Sequence, residues 1–475
     1  MLLLFVFVSG CSDERAVAPD PSDSSNAPGI TIDPDAVAME LVSRAGWAVT
    51  TDEELPAKFK DLQAASPAGN ILTVERQVIV DDIVHYSFQV RVGCGPYDVI
   101  GLHRVVKEKK PGTPIKAKEN FFFQHGCCKD FVGMMLPGLT SAETPDDFGL
   151  AVYLARNGVD VWGIDQAWTL VPKEETNFDF MADWGIARQS DDLRTAVTAA
   201  RVARIVTGCG SGKMILAGYS NGGFSTVALV NEETQLPENL RQVGGYVIVD
   251  MALKTDNAAL REFLLGYLDG WYIPQYAAGN YAEPNTFPVM AELVRCCPDD
   301  PSPFYPDLTN LQYALVANTS PWVVTPETAV HYWSPILDET GMPTGLRYTD
   351  HYLWLGFMAS GVPWEPMVWG LEWFSYLLDR GDSLFDDHLG EIQIPVLNLT
   401  PLGGFAYSTE YGMSMIGSPD KQTLMPGMGL PLAEEFAHID LFTSTSAEQI
   451  VWQPLLGWIN AHTEHRHGKG DVTMK

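Results

Sequence analysis

The sequence predicts an α/β fold: a mostly parallel central sheet with flanking helices and an inserted helical lid. Two patterns carry that prediction. From residue 120 onward, apolar runs of strand length alternate with helical stretches, the pattern of parallel strands joined by crossover helices. Between residues 251 and 389 the alternation stops and aromatic residues and prolines crowd together, which reads as an insertion into that core.

Taken in order, residues 1–11 form an apolar run too short to span a bilayer as a permanent helix, and they read as an export signal. Within it Val8-Ser9-Gly10-Cys11 resembles the lipobox of bacterial lipoproteins, in which the cysteine becomes the acylated first residue. The expectation is an exported protein held at a bacterial membrane, the outer one, by a lipid on Cys11. Residues 12–35, rich in Ser, Asp, Pro and Ala, lack the apolar content to build a core and read as a disordered tether.

Residues 36–250 read as the first part of the core. Segments 71–80, 84–92 and 99–106 are β-branched, alternating and bounded by turn residues, which predicts an antiparallel meander. Then come a strand over 120–124, a helix over 148–157, a strand over 159–163 and a helix over 191–207 with Leu193, Val197 and Ala200 on one face. Strands over 214–217 and 243–249 flank a further helix. The core resumes over 390–475 with a strand at 394–400 and closes with an amphipathic helix at 447–462.

With 475 residues, 46% of them hydrophobic, the chain can bury a large core. Its formal net charge of −30 argues against nucleic acid as a partner, and no basic cluster offsets it. Apart from Cys11 the cysteines are Cys94, Cys127, Cys128, Cys209, Cys296 and Cys297. In an exported chain disulfides are permitted, a link between the 127–128 and 296–297 pairs among them. No cysteine spacing resembles a zinc site, so no metal is expected.

The most informative stretch is Gly218-Tyr219-Ser220-Asn221-Gly222, which lies between a predicted strand and a predicted helix. A serine on such a sharp turn is held in a strained backbone conformation, and glycines two positions to either side admit neighbouring backbone. Ser220 is the candidate nucleophile.

Four pieces in sequence then resemble the α/β-hydrolase superfamily, and within it the acid-lipase-like serine esterases, over roughly residues 71–462. They are Phe121-Phe122-Phe123-Gln124-His125-Gly126 followed by Cys127, the helix and strand of 150–163, the serine turn, and Phe436-Ala437-His438-Ile439-Asp440-Leu441. The resemblance implies a catalytic triad with His438 as base, because that histidine lies in the loop before the last helix. It also implies oxyanion donors at the backbone N–H groups of Asn221 and Cys127, with Gln124 and His125 bracing their loop.

For the acid two candidates stand. Many relatives carry it after the strand corresponding to 394–400, where this chain has Pro401-Leu402-Gly403-Gly404 instead. Asp250, at the end of the strand 243–249, matches an alternative position used by some relatives, and Glu410 lies further into the later loop. The implied activity is hydrolysis of carboxylic esters by a carboxylesterase or lipase, through an acyl-enzyme and without a cofactor. Its partner would be a small-molecule or lipid ester. A peptidase or polyester depolymerase with the same triad, and a noncatalytic surface protein on the same fold, are the alternatives.

Overall fold

In the computed structural model, residues 32–49, 69–321, 323–324, 329–381, 383 and 385–463 are described. The export signal, Cys11 and nearly all of the tether lie outside them. The tether's end at residue 35 needs correction, because Pro34–Arg44 is a helix, α1. Asp33 caps it by accepting the Asp35 N–H at 3.0 Å, and Val37, Ala38 and Leu41 are buried.

The meander forms as β1 (Ile71–Val80), β2 (Ile83–Arg91) and β3 (Val99–Lys110). A two-residue strand, Thr113–Pro114, flanks β3, and the sheet continues before the insertion with β4 (Asn120–Gln124), β5 (Asp160–Asp165), β6 (Met214–Tyr219) and β7 (Val243–Val249). Strands Val396–Leu399 and Lys421–Leu424 complete it after the insertion. The order is β1-β2-β3-β5-β4-β6-β7, then Val396–Leu399 and Lys421–Leu424, with β3 antiparallel to β5 and every later pair parallel.

Helices cover both faces, which is why β4 to β7 and Val396–Leu399 are buried along their whole length, while the edge strand Lys421–Leu424 is polar and exposed. Along β4 the side chains still alternate: Phe122 faces one core layer, while Phe121 and Phe123 face the other. A buried ion cluster ties three elements together. Arg104 of β3 donates to both oxygens of Asp160 at 2.8 and 2.9 Å, and Arg204 of the long helix Ile186–Val206 donates to the same carboxylate at 2.5 Å. That helix starts earlier than the sequence predicts, because its first N–H, on Ile186, is taken by Glu372 from the insertion at 2.6 Å.

The insertion between β7 and Val396 is mainly helical: Ala258–Tyr267, Phe287–Cys296, Asn310–Thr319, His351–Ala359 and Met367–Leu377. It also holds small two-stranded sheets, one of which pairs Ala282–Pro284 with Trp364–Pro366. Trp333, Trp354 and Trp369 are buried, and Trp369 packs on Trp168 of the core, so much of the aromatic crowding seats the insertion on the sheet. The last helix, expected over 447–462, opens with a wide π turn at Glu448–Trp452 and continues as Gln453–His462. Pro454 has no N–H with which to continue the α-helical ladder across that junction. The expected disulfides are absent among the described residues: all six cysteines there are free thiols, with Cys296 exposed at the end of its helix.

Candidate functional site

Ser220, Asp250, the Gly126-Cys127 loop and Gly403-Gly404 all follow the C-terminal ends of adjacent parallel strands, where open α/β sheets place their crevice. Ser220 has φ +51°, and its N–H donates to Val249 O at 3.0 Å. The neighbouring glycines are required by space. A Cβ on Gly218 would run into Thr226 and the backbone of Gly223, and one on Gly222 into the carbonyl of His125. Gly126 is held to the same standard, since its Cβ would lie 2.9 Å from the Cβ of Ser220. That contact sets Cys127 beside the serine. Neither the Cys127 N–H nor the Asn221 N–H has a hydrogen-bond acceptor among the described residues.

His438 is 1% exposed, and its Nδ1 lies 2.5 Å from Asp250 Oδ2. Asp250 is fully buried, and its other oxygen accepts from Thr400 Oγ1 at 2.7 Å and from the Phe405 N–H at 2.8 Å. The Gly403-Gly404 pair now has a physical reason: a Cβ on Gly404 would collide with the Asp250 carboxylate. Glu410, the other candidate, is not brought to His438. Residues Ala406–Met415 fold as a helix that leaves Glu410 exposed to solvent.

Tyr219, the residue before Ser220, lays its ring on the His438 imidazole at 4.6 Å and donates its hydroxyl to His438 O at 3.1 Å. The histidine is thereby seated beside the serine turn, with Nδ1 toward Asp250 and Nε2 on the far side of the ring. Gln124 and His125 brace their loop, as the sequence suggests. Gln166 donates its side-chain amide to Gln124 Oε1 at 2.8 Å and its backbone N–H to His125 Nε2 at 3.2 Å. Burial keeps His125 below its ordinary value, so the ring is neutral and Nδ1 donates to Gly126 O at 2.8 Å.

Several supporting groups carry no sequence signal. His85, His103 and Asp165 form a buried relay of 2.9 and 2.8 Å contacts, and Asp165 accepts the Phe131 N–H at 2.6 Å, which anchors the end of the Cys127 loop. Burial pushes His85 down to about 3, with the neighbouring His103 adding to it. Lys129 is buried, its ammonium held by Phe357 O and, at 2.6 Å, by Ser360 Oγ, and burial pulls it down to about 7. Glu365 of the insertion accepts the Cys128 N–H, and burial raises its carboxyl to about 7. A small void of about 10 Å³, lined by Cys127, Cys128, Tyr219, Tyr332, Phe357 and His438 among others, lies where core and insertion meet.

Asp440 fixes the turn that carries His438. Its Oδ2 accepts the N–H groups of Ala437 and Ser334 at 3.1 and 3.0 Å, and its Oδ1 accepts Thr349 Oγ1 at 3.0 Å. Burial nevertheless raises its carboxyl to about 7. An unfolded aspartate titrates near 4, so between about pH 4 and 7 the folded chain holds a proton that the unfolded chain has lost. Stability is therefore expected to fall as pH rises through that window, by up to about 1.4 kcal/mol per pH unit. Asp440→Asn mimics the protonated form: its carbonyl keeps the two backbone donors and its amide donates to Thr349. Denaturant unfolding of both proteins from pH 4 to 8 should show the wild type losing stability relative to the variant, whereas parallel curves would refute the assignment.

No family model matches the chain, and no curated protein matches it in sequence. Among solved structures, a candidate lipase from Sulfolobus solfataricus superposes with a TM-score of 0.56 at 18% identity, covering 82% of this chain and 98% of that one. A soluble variant of the monoglyceride lipase of Saccharomyces cerevisiae gives a TM-score of 0.40 at 11% identity, over 85% of this chain and 99% of that chain. A thermophilic esterase from Thermogutta terrifontis gives 0.36 at 13%, over 79% and 99%. The first of these likenesses, together with the strand order and the position of the serine turn, establishes the architecture: the chain has the α/β-hydrolase fold.

Proposed function

We propose that the protein is a serine hydrolase that cleaves carboxylic esters through an acyl-enzyme. The observation that carries this reading is the contact of a buried carboxylate, Asp250, with Nδ1 of a histidine seated on the residue before an elbow serine. Asp250 holds the tautomer in which Nδ1 bears the proton, so Nε2 is the basic nitrogen. His438 then takes the Ser220 proton as Oγ attacks the ester carbonyl, and returns it to the leaving alcohol. The backbone N–H groups of Asn221 and Cys127 stabilise the oxyanion. Water, activated by the same histidine, releases the acid.

The aromatic side chains Tyr219, Tyr332 and Phe405 surround the His438 imidazole, which gives the reacting group an apolar setting. The fold neighbour from Sulfolobus solfataricus, a candidate lipase, is compatible with this class of reaction. A panel of p-nitrophenyl esters of increasing acyl length, with amide and lactone controls, tests the proposal. Ester turnover that exceeds amide turnover is the expected result; hydrolysis of the amides alone would make the protein a peptidase, and no turnover of any ester would overturn the reading.

A further inference from the structure

The loop that carries Cys127 holds a second constellation, independent of the triad. The thiols of Cys127 and Cys128 and the carboxylate of Glu365 each offer one ligand atom, and these atoms lie within 4.8 Å of one another. Glu365 arrives from the short strand Trp364–Pro366, more than two hundred residues away in sequence, and is locked there by pairing with Glu283 and by accepting the Cys128 N–H. Cys128 itself has φ +65°, a left-handed conformation uncommon for a residue with a side chain. Two adjacent cysteines alone carry no zinc-like spacing; the tertiary fold supplies the third ligand.

We propose that Cys127, Cys128 and Glu365 form a binding site for a soft divalent cation of the Zn²⁺ or Cd²⁺ type, and that its occupation inhibits hydrolysis. Two sulfurs and one oxygen match the preference of such ions, and disfavour hard cations such as Ca²⁺ and Mg²⁺. Ligand bonds of about 2.0 to 2.3 Å in a tetrahedral site put ligand atoms up to about 3.8 Å apart, so the side chains need contract by only about 1 Å. Binding releases the thiol protons to solvent, involves no change of oxidation state, and leaves a fourth position for water. The inhibitory half rests on the proposed hydrolase reading. Both cysteines border the same small void as His438, and Cys127 supplies one of the proposed oxyanion N–H groups, so an ion held on their sulfurs pins the oxyanion loop and places a positive charge near the base.

The test uses the full chain, kept reduced. Titration with Cd²⁺, read by thiolate-to-metal charge-transfer absorption, should show one tight site. The Cys127→Ser/Cys128→Ser double variant should lose that absorption, and Glu365→Gln should weaken binding by about 10- to 100-fold. Cys296→Ser/Cys297→Ser is the control for the other adjacent pair and should bind as wild type. Circular dichroism of each variant establishes that it is folded. Binding that survives in the first double variant, or disappears in the control, overturns the site. With Zn²⁺ in an ester assay, inhibition should be relieved at least about tenfold in Cys128→Ser, each protein compared with its own metal-free rate. Binding without inhibition overturns the regulatory half. Should the metal-free protein hydrolyse no ester, the hydrolase reading fails while the absorption titration still decides the site.

Discussion

Replacing Ser220 by alanine should reduce ester hydrolysis to background, a loss on the order of 10⁵- to 10⁶-fold in kcat, because the acyl-enzyme then has no oxygen on which to form. The variant should fold normally. Alanine keeps the Cβ that already fits beside Gly126 and tolerates φ +51° no worse than serine, so stability should change by less than about 1 kcal/mol. A fluorophosphonate probe should label the wild type and fail on Ser220→Ala. Labelling that persists in the variant would place the nucleophile elsewhere, whatever the turn looks like.

Asp250→Asn should cost about 10³- to 10⁴-fold in kcat with little effect on KM, and the hydrogen bonds around it explain why. Thr400 Oγ1 and the Phe405 N–H both donate to Oδ1, so they hold the carbonyl oxygen of an asparagine in that place. Its amide is thereby turned toward His438 Nδ1 and donates to it. The imidazole must then carry its proton on Nε2, the wrong tautomer to accept one from Ser220. Folding is preserved because the two buried donors remain paired. Glu410→Gln, on the exposed face of its helix, should change kcat by less than about twofold. Equal losses in both variants, or a larger loss at Glu410, would reject Asp250 as the acid.

Which parts of the site were legible depends on how local their physics is. The serine turn declares itself because every constraint on it acts within a few residues: a strand, a strained serine and glycines at fixed offsets. The choice between Asp250 and Glu410 has no such local mark, since both follow strands and the sequence gives neither a distance to His438. Only the packing of Gly404 against the Asp250 carboxylate, and the helix that turns Glu410 to solvent, separate them. The brace formed by His85, His103 and Asp165 joins residues from three strands, each of which reads alone as an ordinary buried polar group.

The insertion shows the same division. Its aromatic density marks it as a departure from the α/β alternation, but buried and exposed positions use the same residue types, so composition does not tell Trp333, Trp354 and Phe357 in its interior from Tyr352 on its surface. The chain up to residue 35 reads as tether because Ser, Asp and Pro dominate its composition, while the burial that stabilises helix α1 comes from a distant part of the core.

By itself, then, the sequence determined the alternation of strands and helices, the antiparallel start of the sheet, the serine turn and the site of the insertion. These follow from periodicity and from backbone restrictions on glycine and proline, which act over one element at a time. The tertiary structure decided which carboxylate meets His438, that the cysteines among the described residues stay free, and that Glu365 joins Cys127 and Cys128. Such pairings depend on where strand ends and inserted segments converge across hundreds of residues, and no local preference encodes a distance between groups so far apart in the chain.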